Sequence, residues 1–144
     1  MSLPAPLEKL VRRFAAAPAE LRVQALLQQA RKVPPLPPEL AGDPSALERV
    51  HECQTPFFLA TKVEDGLVHL YFDAPEESPT VRGFAGILRE GLEGQPWQDV
   101  LAVPDDFYAS MGLETVVSPL RLRGMGAILG RLKRQVREQV AGGA

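Results

Sequence analysis

The chain has 144 residues, a net charge of −2 at pH 7, 45% hydrophobic and 24% charged residues, and one cysteine, a composition that excludes disordered and fibrous classes. This length suits a single domain, residues 1–144, large enough to bury a core without metal or disulfide staples. One Cys and two separated His exclude an internal disulfide, fall short of a structural zinc site in number and spacing, and cannot hold an iron–sulfur cluster, which takes about four protein ligands.

Residues 1–14 carry Glu8, Lys9, Arg12 and Arg13 where a signal peptide needs an apolar stretch, and no apolar run approaches the roughly 20 residues that span a bilayer. A cytoplasmic protein free of membrane is expected. Leu7, Leu10, Val11 and Phe14 follow the i, i+3, i+4, i+7 spacing of an amphipathic helix, and Val23, Leu26, Leu27 and Ala30 repeat it after Pro18. Pro34-Pro35-Leu36-Pro37-Pro38 then forbids helix and predicts a short polyproline II strap, a brace rather than a ligand for a recognition domain. Asp43-Pro44 predicts a capped turn ending near Val50.

Residues 57–63 and 67–73 are rich in aromatic and branched side chains, and Glu64-Asp65-Gly66 supplies the glycine of a tight turn, so a β-hairpin is expected. Val68, Leu70 and Phe72 share one face and should lie on the core. Ser78-Pro79 opens a helix with an apolar stripe of Val81, Phe84, Ala85, Leu88 and Leu92, which Gly91 or Gly94 can end. Short helical turns follow near residues 97–101 and 105–111. Ser118-Pro119 opens the last helix, with Met125, Ile128, Leu129, Leu132 and Val136 inward and its arginines outward. The fold class is α+β, a small antiparallel β-sheet flanked by helices.

Charge is uneven. Between Ser118 and Val140 six Arg and Lys stand against Glu138 alone, a net of +5 that leaves −7 for the remainder. A short basic helix on an otherwise acidic chain reads as a solvated face, and no nucleic-acid partner is expected. No signal for an oligomeric state is present.

The reactive candidate is Cys53, in His51-Glu52-Cys53-Gln54-Thr55-Pro56, a polar stretch before a strand where a loop can present a side chain to a partner. A lone cysteine is more often a small buried hydrophobe. His51, if protonated, favours its thiolate and Glu52 opposes it, so that a basic partner surface covering Glu52 would activate the thiol. Pro56, Phe57 and Phe58 are placed to cover the sulfur, so the thiol is expected to be shielded in the isolated protein.

Four motifs in order carry a resemblance: Pro34-Pro35-Leu36-Pro37, then Cys53-Gln54 before a strand, then Val81-Arg82-Gly83 opening a helix, then Ser118-Pro119-x-Arg121 opening the last one. With these spacings over residues 7–140 the chain resembles the SufE family. The resemblance implies an α+β, IscU-like fold and a sulfur-transfer protein. Such a protein accepts persulfide sulfur from a SufS-type cysteine desulfurase on Cys53, stimulates that enzyme, and passes sulfur to an iron–sulfur scaffold. It has no cofactor of its own, because the pyridoxal phosphate belongs to the desulfurase. Arg121 matches the family's arginine, a guanidinium able to stabilise a developing thiolate or persulfide anion or, alternatively, to form a salt bridge near the cap. Relatives usually have glycine where this chain has Glu52, serine and then glutamine where it has Thr55 and Pro56, and a polar residue such as asparagine at Arg123.

Arg82 lies in the first turn of its helix, where the macrodipole disfavours a cation, so another duty is expected of it. Gly83 reads as a point of close packing. Two other functions are compatible with the residues. One is a Cys-dependent hydrolase or transferase pairing Cys53 with His69 or His51, although no acid that would orient His69 is identifiable. The other is a module that binds a desulfurase without accepting sulfur.

Overall fold

In the computed structural model, which describes residues 3–143, six α-helices surround a three-stranded antiparallel sheet of order β1-β2-β3. Helix α1 spans Ala5–Ala16, and its four expected apolar positions, Leu7, Leu10, Val11 and Phe14, are all buried. Helix α2 spans Ala19–Ala30 and buries Leu26, Gln29 and Ala30. Val23 and Leu27, expected inside, are 43% and 37% exposed. The reason lies in α4, Pro79–Leu92, which meets α2 through glycines. A Cβ on Gly83 would stand 2.4 Å from the Leu26 carbonyl oxygen, and one on Gly86 2.0 Å from that of Gln29. Backbones this close meet along the line through Leu26 and Gln29, which rotates Val23 and Leu27 out. Gly83 therefore packs as expected, and Gly91 performs a similar service for Leu7 of α1 from inside α4.

Arg82 has the duty that its helix position suggested. Its guanidinium donates to the carbonyls of Ala30 (3.1 Å), Val33 (3.2 Å) and Ala74 (2.6 Å). It thereby satisfies free carbonyls at the end of α2 and pins the start of the proline strap to the chain leaving the sheet. The strap ends at Pro37, the cap of a short helix α3, Pro38–Ala41, that the proline run had hidden.

The turn predicted from Asp43 is shorter than expected. A 3-10 turn covers Pro44–Ala46, the Asp43 carboxylate accepts from Ser45 Oγ rather than capping it, and Leu47 is already extended. Glu48–Arg49 form strand β1, pairing with Leu59 and Phe58. Charged residues with no alternating pattern gave no strand signal, so pairing with β2 decides their conformation. Strands β2, Phe58–Glu64, and β3, Leu67–Asp73, form the expected hairpin, with Asp65 and Gly66 at φ of 54° and 78° in its two-residue turn. Val68, Leu70 and Phe72 are buried as expected.

Gly94, at φ +77°, lets the chain leave α4 and return along β3, its N–H donating to the Val68 carbonyl at 2.7 Å. Helix α5 is Trp97–Leu101, and 3-10 turns at Phe107–Met111 and Leu113–Thr115 lead to α6, Pro119–Ala141. Ser118 caps α6 by accepting from the Arg121 N–H, whereas Ser78 makes no such bond to α4. The five expected core residues of α6 are buried. Because β1 pairs only with the first two residues of β2, the edge beyond is open, and Gln139 of α6 closes it. Its amide accepts from the Val63 N–H at 2.8 Å and donates to the Thr61 carbonyl at 2.9 Å. Unpaired strand groups are thus satisfied by a helix laid along the sheet.

Candidate functional site

Cys53 lies in the loop joining β1 to β2, whose base is closed by Val50 N–H donating to the Phe57 carbonyl and Cys53 N–H to that of Val50. The loop folds back so that the thiol is 6% exposed. Its cover includes a helix that the sequence did not point to. Pro56 is exposed, Phe57 is drawn into the core against Phe72 with ring centroids 5.8 Å apart, and Phe58 sits half-buried beside the Arg49 guanidinium. What stands over the sulfur is Gly124 of α6, whose carbonyl lies 3.9 Å from Sγ in line to accept a weak S–H bond. A methyl on Gly124 would stand 3.4 Å from Sγ, in ordinary van der Waals contact, so the loop lies about as close to the helix as a small residue allows.

Burial, and secondarily the Glu52 carboxylate, push the thiol up to about 11, against the pull of Arg131. At neutral pH the group is a protonated thiol and a poor nucleophile until it is uncovered. Glu52 itself is held below the usual carboxylate range, first by its own backbone N–H and, against some burial, by Arg131. Arg131 donates through Nε and Nη2 to Glu52 Oε1, at 3.1 and 2.8 Å, and through Nη1 to Glu48 Oε2 at 2.8 Å. Glu48 is also bound by Arg134 and by Gln135. Glu52 thus already has a cation, supplied by α6, while its side chain stays about half exposed.

Arg121 is exposed in the first turn of α6, one turn before Gly124. Among the described residues its side chain makes no hydrogen bond or ion pair, so the salt bridge near the cap is not formed; its backbone N–H takes the Ser118 hydroxyl instead. Arg123 is likewise exposed. The remaining cations of α6 do not all face outward as expected. Arg131 and Arg134 turn to Glu48, and Lys133 reaches Asp105 and the Val103 carbonyl. Three of the six cations of the helix thus meet acids elsewhere in the folded chain, while Arg121, Arg123 and Arg137 stay exposed.

His69 does have an orienting acid, contrary to expectation: Glu93 Oε2 lies 2.7 Å from its Nδ1. It stands at the wrong place for Cys53, however. His69 pairs with Lys62, four residues further along β2 than Phe58, about 13 Å toward the hairpin turn and away from the loop that holds the cysteine. His51 is exposed two residues from Cys53. Among the described residues no cluster of three His, Cys, Asp or Glu could hold a metal, and no helix is long and apolar enough to cross a membrane.

Gly124, Arg131 and Glu48 were not singled out by sequence. The signal open to inspection was the spacing of Gly124 and Arg131, seven residues and two helical turns apart on one face. Nothing local told what that face meets.

A family model described as "Fe-S metabolism associated domain", SufE, matches residues 8–136. An uncharacterized SufE-like protein of Mycobacterium tuberculosis is 51% identical over 138 residues, 95% of each chain. The cysteine desulfuration protein SufE of Plasmodium vivax is 27% identical over 131 residues, 88% of this chain and 51% of that one. A solution structure of a hypothetical protein from Thermus thermophilus superposes with a TM-score of 0.87 at 52% identity, covering 97% of this chain and 99% of the other. With the family model spanning most of its length and the α+β architecture shared, this chain belongs to the SufE family, whose domain is associated with iron–sulfur metabolism.

Proposed function

We propose that the protein carries sulfur as a persulfide on Cys53, taking it from a SufS-type cysteine desulfurase in the cytoplasm and passing it to an iron–sulfur scaffold. The observation that carries this reading is the single thiol of the chain, tucked under Gly124 on a hairpin loop, in a protein of this family. A persulfide left open to small thiols loses its outer sulfur by exchange, so a carrier needs a thiol that can be covered.

In the transfer, the Cys53 thiol gives up its proton as the loop opens, and Sγ attacks the outer sulfur of the donor's cysteine persulfide. The donor's S–S bond breaks as the Sγ–S bond forms. The donor cysteine leaves as a thiolate and takes the proton. One sulfane sulfur changes partner and no net oxidation occurs. Arg121, one turn from the carbonyl over Sγ and free of acidic partners among the described residues, supplies positive charge for the thiolate and persulfide anions.

Desulfurase turnover separates this reading from mere binding. With a cysteine desulfurase and cysteine, the wild-type protein should accelerate alanine formation and Cys53→Ala should not. Equal acceleration by both would overturn sulfur acceptance and leave a binding module.

A further inference from the structure

Arg131 grips two carboxylates on the two sides of the turn into the cysteine loop. Glu48 belongs to β1, before the loop, and Glu52 immediately precedes the cysteine. Arg131 also lies seven residues after Gly124, so one face of α6 presents both the carbonyl that meets Sγ and, two turns on, the guanidinium that holds the loop. Two groups are poorly served by the covered loop. Thr55 Oγ1 is buried there without a hydrogen-bond partner, and the thiol's own bond is long, at 3.9 Å. Both groups would find water if the loop lifted.

We propose that Arg131 is a positioning residue for Cys53: its fork on Glu52 and Glu48 keeps the loop shut over the sulfur, and release of Glu52 lets Cys53 swing out. The inference rests on the reading of Cys53 as the sulfur carrier, and gives that carrier its catch. The loop's closure here is fixed by an ion pair with a helix rather than by backbone freedom at Glu52.

The test is the rate of iodoacetamide labelling of Cys53 at pH 8, read by intact mass, in Arg131→Met, Arg131→Lys, Glu52→Ala and the Arg131→Met/Glu52→Ala double variant, with thermal melting of each. The two possible roles of Arg131 predict opposite signs. As a mere positive charge it favours the thiolate, so Arg131→Met would slow labelling; as a catch its loss speeds labelling, by about threefold to tenfold. Arg131→Lys keeps the charge but not the fork, and is expected to label faster than wild type yet slower than Arg131→Met. The double variant should label no faster than Glu52→Ala alone. Labelling of Arg131→Met at or below the wild-type rate, or of Arg131→Lys at the wild-type rate, overturns the proposal, and the lysine variant decides alone if the methionine variant does not fold. Iodoacetamide labelling needs no desulfurase, so failure of the catch and failure of sulfur transfer are read separately.

Discussion

Removing the buried thiol should change how stability depends on pH, in a window that the thiol alone defines. Burial raises Cys53 from an ordinary 9.0 to about 11 in the folded chain. A group whose folded value is raised contributes stability that is complete below its unfolded value and lost as pH rises toward the folded one. The unfolded chain ionises its thiol first, from pH 9 upward, and every further pH unit to 11 favours unfolding by about 1.4 kcal/mol, about 2–3 kcal/mol in all. The perturbation is Cys53→Ala and the assay is urea unfolding of both proteins at several values from pH 7.5 to 11. Other groups titrate in both, and their effects cancel in the difference. The stability difference between wild type and variant should be constant below pH 8.5 and then fall by about 2–3 kcal/mol in the wild type's disfavour. A difference that stays constant through pH 11 would mean the thiol is not shielded, and the reasoning from its burial would fail.

Glycine substitutions should have opposite signs at two helical positions. Gly86→Ala drives a methyl to 2.0 Å from the Gln29 carbonyl and should destabilise by about 1–3 kcal/mol or more, while Gly130→Ala meets nothing within 4 Å and should stabilise by about 0.5–1 kcal/mol, both read from melting curves. Arg82→Ala should destabilise by about 2–4 kcal/mol in urea unfolding, because three carbonyls lose one charged donor, and Arg82→Lys should restore only part. Glu48 is raised by burial but lowered further by bonds from Gln135, Arg131 and Arg134, so its folded value lies below the ordinary 4.5. Its contribution is present above pH 4.5 and lost as pH falls through the folded value, and Glu48→Gln should therefore flatten the acid limb of the stability curve.

Much of the fold is legible wherever periodicity is strong and local. The apolar stripes of α1, α4 and α6 and the alternation of β3 each specify an element and the face it buries. Where two backbones touch, the pattern misleads. The α2 stripe through Val23 and Leu27 is sound helical spacing, yet the glycines of α4 choose a different line of contact. Strand β1 escapes notice because Glu48 and Arg49 owe their extended form to β2. The site divides in the same way. Cys53 stands out as a lone thiol in a polar stretch, and the SufE motifs single it out further, but its cover comes from Gly124, 71 residues on. Arg131 reads as one more arginine on a solvated helix because its carboxylates lie 79 and 83 residues away. Arg82 could be marked as out of place in a helix N-terminus, whereas the carbonyls that it serves become neighbours only after α2, the strap and β3 have packed.

The central claim, that Cys53 takes up sulfur, is tested most directly by intact-mass spectrometry after incubation with a cysteine desulfurase and cysteine. The account predicts a gain of one sulfur on the wild-type chain, removed by reductant and absent from Cys53→Ala. A wild-type chain of unchanged mass beside an active desulfurase would contradict it.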